Sequence, residues 1–281
     1  ISGFESKKET KGLFGHTITT YYTHPALAAN KDGSYQVRVA DTTAEVTLTK
    51  AEKLSSSITL KQDASVKLPY VEDGTLHVVR HAETAQWWRN LSLLTLGRDE
   101  MVEVLLPEGA YRALKAETVS GSIEVAQGFS FETAALESTS GGVECLSATR
   151  DLTAASVSGS IDVQNVKGAR CGVSATSGEI RLADLDVETC SVSSVSGNVT
   201  LEGLRAASAD VSTTSGDVRL SGADVGAWRI DTTSGDVTGS VVNPCAFNVK
   251  TVSGRVETPQ SGPDGALTAQ TTSGDVVIAA Q

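Results

Sequence analysis

Val195-Ser196-Gly197-Asn198-Val199-Thr200-Leu201 is answered nineteen residues later by Thr214-Ser215-Gly216-Asp217-Val218-Arg219-Leu220, and again by Thr233-Ser234-Gly235-Asp236-Val237-Thr238-Gly239. Working outward, the same Ser-Gly pair recurs at Gly121, Gly141, Gly159, Gly178, Gly254 and Gly274, with successive spacings of 20, 18, 19, 19, 19, 19, 19 and 20. A period near 19 is too short for paired helices and suits one turn of a coil of short strands.

Each column of the repeat has its own chemistry. Two residues after the glycine, all nine units carry Val or Ile, from Ile123 to Val276, a type suited to a pleated, half-buried surface. Four after it, most units carry an apolar residue such as Val125, Cys145, Leu182 or Leu220. Five and seven before it stand mainly Ala, Val, Leu and Cys, with Trp228 and Phe247 in the column seven before. Apolar residues two apart on either side of the glycine are the strand period. Each unit therefore reads as strand, Ser-Gly corner, strand, connection. The glycine is expected to permit corner angles that a Cβ would penalise. The serine beside it is expected to cap corner amides.

No single unit can bury its apolar face alone, so the units must stack. The expectation is an all-β parallel β-solenoid of about nine to ten rungs of about 19 residues, right-handed by the crossover rule. At about 4.8 Å per rung, nine rungs span on the order of 40 Å. Val166, Leu185 and Leu204, seven after their glycines, suggest a third, weaker side; a flattened two-sided coil is the alternative.

Residues 1–34 read as an N-terminal leader or extension. Residues 35–115 read as a degenerate first rung and β cap, and 116–281 as the solenoid repeats, with 35–281 one continuous domain. The first rung is the stretch from Tyr35 to Leu48, where Ala44 replaces the glycine and Val37, Val39, Val46 and Leu48 take the inward columns. Glu72-Asp73-Gly74 is a hairpin signal. The last unit, Thr271–Ala280, is expected to leave an uncapped strand near the C-terminal end, where self-association or a partner strand would dock.

The charge of −11 argues against nucleic acid or anionic headgroups as main partners. No stretch approaches the roughly 20 apolar residues of a membrane span, so membrane association is expected only through a segment absent from this chain. The sequence begins at Ile1 without methionine, which fits removal of a leader or anchor. Of the four cysteines, Cys171 and Cys190 fall in one inward column of adjacent units. Their Cα atoms would lie near 5 Å apart, within disulfide range; buried thiols acting as small hydrophobes are the plainer reading.

The ordered set Gly74-Thr-Leu-His-Val-Val-Arg80, Trp87-Trp88-Arg89, Val102-Glu-Val-Leu-Leu-Pro-Glu108 and Leu114-Lys-Ala-Glu-Thr-Val-Ser-Gly-Ser-Ile-Glu-Val125 resembles the bacterial putative-adhesin family of β-strand repeats. The resemblance spans about residues 35–281. It implies a β-solenoid and an extracytoplasmic, cell-envelope protein, anchored or secreted. It brings no catalytic residue, cofactor or metal, and it keeps envelope-stress signalling open as an alternative role.

The residues themselves point the same way. His16, His24, His77 and His81 lie outside the repeats, and His77 and His81, four apart on one strand, would be about 13 Å from each other. Asp217, Asp236 and Asp275 follow Ser-Gly pairs, but the column also holds Ser122, Gly142, Ser160, Glu179, Asn198 and Arg255, unlike a calcium ladder with an aspartate in every turn. Outward columns lack a carboxylate cluster or cleft aromatics, which makes a polysaccharide-acting enzyme the third choice. The expected function is a non-enzymatic binding or structural module. The partner would be a protein or cell-surface component, and Trp87 and Trp88 are its candidate contacts.

Overall fold

Strand-forming Val and Ile columns flanked by polar residues give short strands with one inward face, and strands account for all the regular structure described. The computed structural model describes residues 5–11, 17–24, 36–41, 45–51, 56–61, 70–72, 75–80, 101–107, 109–119, 121–242, 246–262 and 265–280, with side chains from residue 110 onward. The chain folds as a parallel β-solenoid of about nine turns, divided into two compact units, Ile1–Gly141 and Gly142–Gln281.

The first unit contains β1 (Glu5–Lys11), β2 (Thr17–His24), β3 (Gln36–Asp41), β4 (Glu45–Ala51), β5 (Ser56–Lys61), β6 (Tyr70–Glu72), β7 (Thr75–Arg80), β8 (Met101–Pro107), β9 (Gly109–Thr118), β10 (Ile123–Val125) and β11 (Phe129–Ser138). The stretch 36–48 takes the register read from its pattern. Val37 and Val39 pair with Leu114 and Ala116 of β9, and Val46 and Leu48 pair with Ile123 and Val125 of β10. The order of turns is not sequential. β3 lies between β7 and β9, and β4 lies between β8 and β10, so the turn formed by β7 and β8 sits outside the first rung. β6 and β7 pair antiparallel around the expected hairpin. β1, β2, β5 and β8 form a further antiparallel series.

The second unit contains β12 (Val143–Cys145), β13 (Ala148–Ser156), β14 (Ile161–Gln164), β15 (Lys167–Ala175), β16 (Ile180–Ala183), β17 (Asp186–Ser194), β18 (Val199–Glu202), β19 (Arg205–Thr213), β20 (Val218–Thr232), β21 (Val237–Val241), β22 (Ala246–Thr251), β23 (Val256–Glu257), β24 (Ala266–Thr271) and β25 (Val276–Ala280). Strands before each Ser-Gly corner form one parallel sheet and strands after it form the other; β20 bends to serve both. Identical columns face each other in register: Cys171 on Cys190, Val173 on Val192, and Ile180 on Val199. Val192, Val199, Leu201, Val211, Val218 and Ile230 are 1 % exposed or less. Burying each such side chain stabilises the fold by roughly 1.5–3 kcal/mol.

The two-sheet coil settles the number of sides. Val166, Leu185, Leu204 and Ala223 are buried, but at a second corner rather than on a third sheet. Directly before them Asn165, Asp184, Gly203 and Gly222 share φ values of 60, 54, 59 and 62°. This corner turns through the left-handed region, which suits Gly and tolerates Asn and Asp.

The Ser-Gly corner works differently from the sequence-based expectation. Its glycines lie outside the left-handed region. A Cβ on Gly197 would sit 1.8 Å from the carbonyl oxygen of Gly178, and one on Gly216 would sit 2.0 Å from that of Gly197. Glycine is required because consecutive turns nearly touch, backbone on backbone.

The strand near the end of the sequence is also not an edge. β24 lies between β20 and β22, and β25 between β21 and β23. Among the described residues the edge is formed by β22 and β23, one turn earlier in sequence. Phe247 and Val249 are therefore only half-buried, and Val252 is 83 % exposed.

Candidate functional site: the corner ridge

The amide of each corner glycine needs an acceptor, because buried N–H groups left unpaired are costly. In six of the units the hydroxyl three residues before the glycine supplies it. Gly121 donates to Thr118 Oγ1 (3.1 Å), Gly141 to Ser138 Oγ (2.9 Å), Gly159 to Ser156 Oγ (2.8 Å), Gly197 to Ser194 Oγ (3.0 Å), Gly216 to Thr213 Oγ1 (3.0 Å) and Gly235 to Thr232 Oγ1 (3.0 Å). These capping residues are buried. Ala175 is the exception in the column and brings no hydroxyl to Gly178.

The capping role expected of the serine next to the glycine thus passes to another residue. Ser158, Ser177, Ser196, Ser215, Ser234, Ser253 and Ser273 are exposed. Their amides hold neighbouring turns, as in Ser196 N–H to Thr176 O and Ser215 N–H to Val195 O, both 2.9 Å. Their hydroxyls have no hydrogen bond among the described residues. Beside them Val157 and Val195 are 47 and 48 % exposed, alternating with exposed Thr176 and Thr214. The second unit therefore carries a ridge of hydroxyl and methyl groups, repeated at every turn, roughly 4.8 Å apart.

The aspartates after the Ser-Gly pairs have a structural task that the sequence did not reveal. The amide of Asp217 donates to Asn198 Oδ1 (2.9 Å), that of Asp236 to Asp217 Oδ1 (3.1 Å), that of Asp275 to Asp236 Oδ1 (2.8 Å) and that of Arg255 to Asp275 Oδ1 (2.7 Å). Each side chain ties its own turn to the next. Among the described residues no group of three or more His, Cys, Asp or Glu could hold a metal ion. His24 and His77 lie in β2 and β7, while His16 and His81 fall outside the described residues, as do Trp87 and Trp88.

Several arginines on the outer faces are ion-paired. Arg170 Nε and Nη2 donate to both oxygens of Asp151 at 2.9 and 3.0 Å; this bond holds the Asp151 carboxyl below its ordinary range and raises the Arg170 guanidinium. Arg181 pairs with Glu202, Arg219 with Asp217 and Arg229 with Asp231. At the second corner, Gly203 and Gly222 floor a groove of about 370 Å³ whose rim carries Lys167, Asp186, Arg205 and Asp224. Its lining mixes the carboxylates of Asp184, Asp186 and Asp224 with the cations of Lys167 and Arg205.

Three of the thiols are buried. Cys145, Cys171 and Cys190 are free. Burial pushes Cys145 up to about 11. A hydrogen bond with Cys190, with burial, holds the Cys171 thiol well above its ordinary value.

Among solved structures, the chain is similar in fold to the protein described as "Putative lipid binding protein" from Parabacteroides distasonis, at 14 % identity and a TM-score of 0.57, covering 93 % of this chain and 96 % of the other. A "putative cell adhesion protein" from Clostridium sporogenes aligns at 10 % identity over 99 % of this chain and 100 % of the other, with a TM-score of 0.21, too low to carry an argument. No curated protein matches. The family model of Toastrack DUF4097 matches residues 35–264, and the chain belongs to that family.

Proposed function

We propose that the protein is a non-enzymatic, extracytoplasmic module of a bacterial cell envelope that binds or holds a partner, adhesin-like in role. The observation that carries this reading is the ridge. A serine recurs in every unit of the sequence, and in the second unit of the structure its hydroxyl is exposed with no hydrogen bond among the described residues. Glycine, the capping Ser or Thr, and the aspartate each have a structural task; the exposed serine has none, so its repetition fits a partner that reads a regular surface. The Parabacteroides protein named for lipid binding shares the fold, which is compatible with a binding role but does not choose the ligand.

The test uses the whole chain as bait in a native envelope extract, beside a variant with Ser177, Ser196, Ser215 and Ser234 all changed to Ala. Both should melt alike, because these side chains are exposed. Wild type should retain an envelope component that the variant loses. Equal capture by both would remove the ridge as the binding surface. A captured sensor or regulator would favour envelope-stress signalling over adhesion.

A further inference from the structure

The last turn in sequence is not the last turn in space. The chain leaves β21, passes over one rung position, builds β22 and β23, and returns to fill the gap with β24 and β25. Among the described residues, β22 and β23 meet the coil solely through β24 and β25. Until residues 265–280 arrive, two parallel edges face each other across an empty rung.

That slot is selective. Gly265 enters it at φ +80°, where a Cβ would lie 2.5 Å from the carbonyl oxygen of Gly226. A strand that carried a side chain at this position would not fit against Gly226. Beyond the entry, Leu267 pairs with Trp228 and Ala269 with Ile230, all 3 % exposed or less. The Asp275 amide reaches the Asp236 carboxylate on one wall, and the Asp275 carboxylate accepts from the Arg255 amide on the other.

We propose that this slot is a strand-insertion site, filled in this structure by the chain's own β24 and β25 and open to the same segment of a second copy. Every slot contact is made between residues 265–280 and the rest of the second unit, so each is equally available when the segment comes from another molecule. Such exchange is a low-cost route to dimers. The connecting residues 252–262 are exposed or half-buried, with the Phe247 amide donating to Ser261 Oγ at 3.4 Å. Extended, five residues such as 258–262 reach up to about 17 Å, enough to redirect the segment. The occupant is a second copy rather than an unrelated strand, because both walls select the Gly265 and Asp275 positions.

Arg229 and Thr268 are outward-facing register partners on β20 and β24, and residues so paired stand about 5 Å apart, within disulfide range. In a Cys245→Ser background, full-length Arg229→Cys and Thr268→Cys chains are unfolded, mixed, refolded at increasing protein concentration and oxidised. A covalent heterodimer that grows with concentration is expected. The double variant Arg229→Cys/Thr268→Cys, refolded dilute, should close a disulfide within one chain. In-chain closure with no heterodimer at any concentration would overturn the proposal. Failure of the double variant to close would remove the register on which the slot rests, and the proposal with it.

Discussion

Replacing Gly216 with alanine separates two explanations of the Ser-Gly corner, because they differ in sign. If the glycine served backbone angles alone, alanine at its φ, outside the left-handed region, would be neutral or would stabilise by roughly 0.4–1 kcal/mol through the unfolded chain. The structure says otherwise. The new Cβ would lie 2.0 Å from Gly197 O, whereas ordinary contact begins near 3.4 Å, a shortfall of 1.4 Å. Separating the turns by that much breaks the bonds from Ser215 N–H to Val195 O (2.9 Å) and from Thr214 N–H to Ser194 O (3.3 Å). It also disturbs the bond from the Gly216 amide to Thr213 Oγ1. Two or three bonds lost at about 1 kcal/mol each, with at least one buried group left unpaired, give a loss on the order of 3–5 kcal/mol. Gly172 is the internal control. A Cβ there would meet only Leu152 O, at 3.8 Å, so Gly172→Ala should be neutral or slightly stabilising. Urea unfolding followed by circular dichroism reads both midpoints. Equal midpoints for the two variants, within about 0.5 kcal/mol, would refute the close-approach account.

Ala175→Ser supplies the hydroxyl missing from the capping column and should raise the unfolding free energy read from urea titration by about 1 kcal/mol; a lower midpoint would show that the site cannot take the cap. In the aspartate ladder, Asp236→Asn keeps an acceptor for the Asp275 amide, as Asn198 does for Asp217, and should leave stability nearly unchanged. Asp236→Ala should lose about 1 kcal/mol, and equal melting of the two would dissolve the ladder. The Cys145 thiol has its folded pKa raised from 9.0 to about 11, so the unfolded chain loses this proton first as pH rises. Stability is full below the ordinary thiol value and falls from there towards pH 11, by up to about 1.4 kcal/mol per pH unit for that thiol. A Cys145→Ala variant should show a shallower alkaline loss, and an unchanged slope would contradict the burial argument.

The repeat made the fold legible because its columns are pure. Val or Ile two after every glycine fixes both register and inward face, and even the first rung at Val37, Val39, Val46 and Leu48 pairs as its pattern requires. The capping column was equally visible in principle. Thr118, Ser138, Ser156, Ser194, Thr213, Thr232, Thr251 and Thr271 stand three before their glycines, with Ala175 the sole break. It was missed because the adjacent serine, present in every unit, looked like the stronger hydrogen-bonding signal, although a residue at a tight corner points its side chain to solvent. The order of turns was not legible. Rungs with matching columns stack on one another in any order, so periodicity cannot say that β24 precedes β22 in space; the fit of Gly265 against Gly226 is visible only in the structure. Trp87 and Trp88, the contacts expected from sequence, lie outside the described residues, and the ridge is a second candidate surface.

Labour is divided within one corner: the residue three before the glycine holds the fold, and the serine beside the glycine is left exposed for a partner. Thr213→Ala and Ser215→Ala, two residues apart, test it in one urea titration. Thr213→Ala should lower stability by about 1–3 kcal/mol by leaving the buried Gly216 amide without its acceptor, while Ser215→Ala should stay within about 0.5 kcal/mol of wild type. A larger loss at Ser215 than at Thr213 would contradict the account.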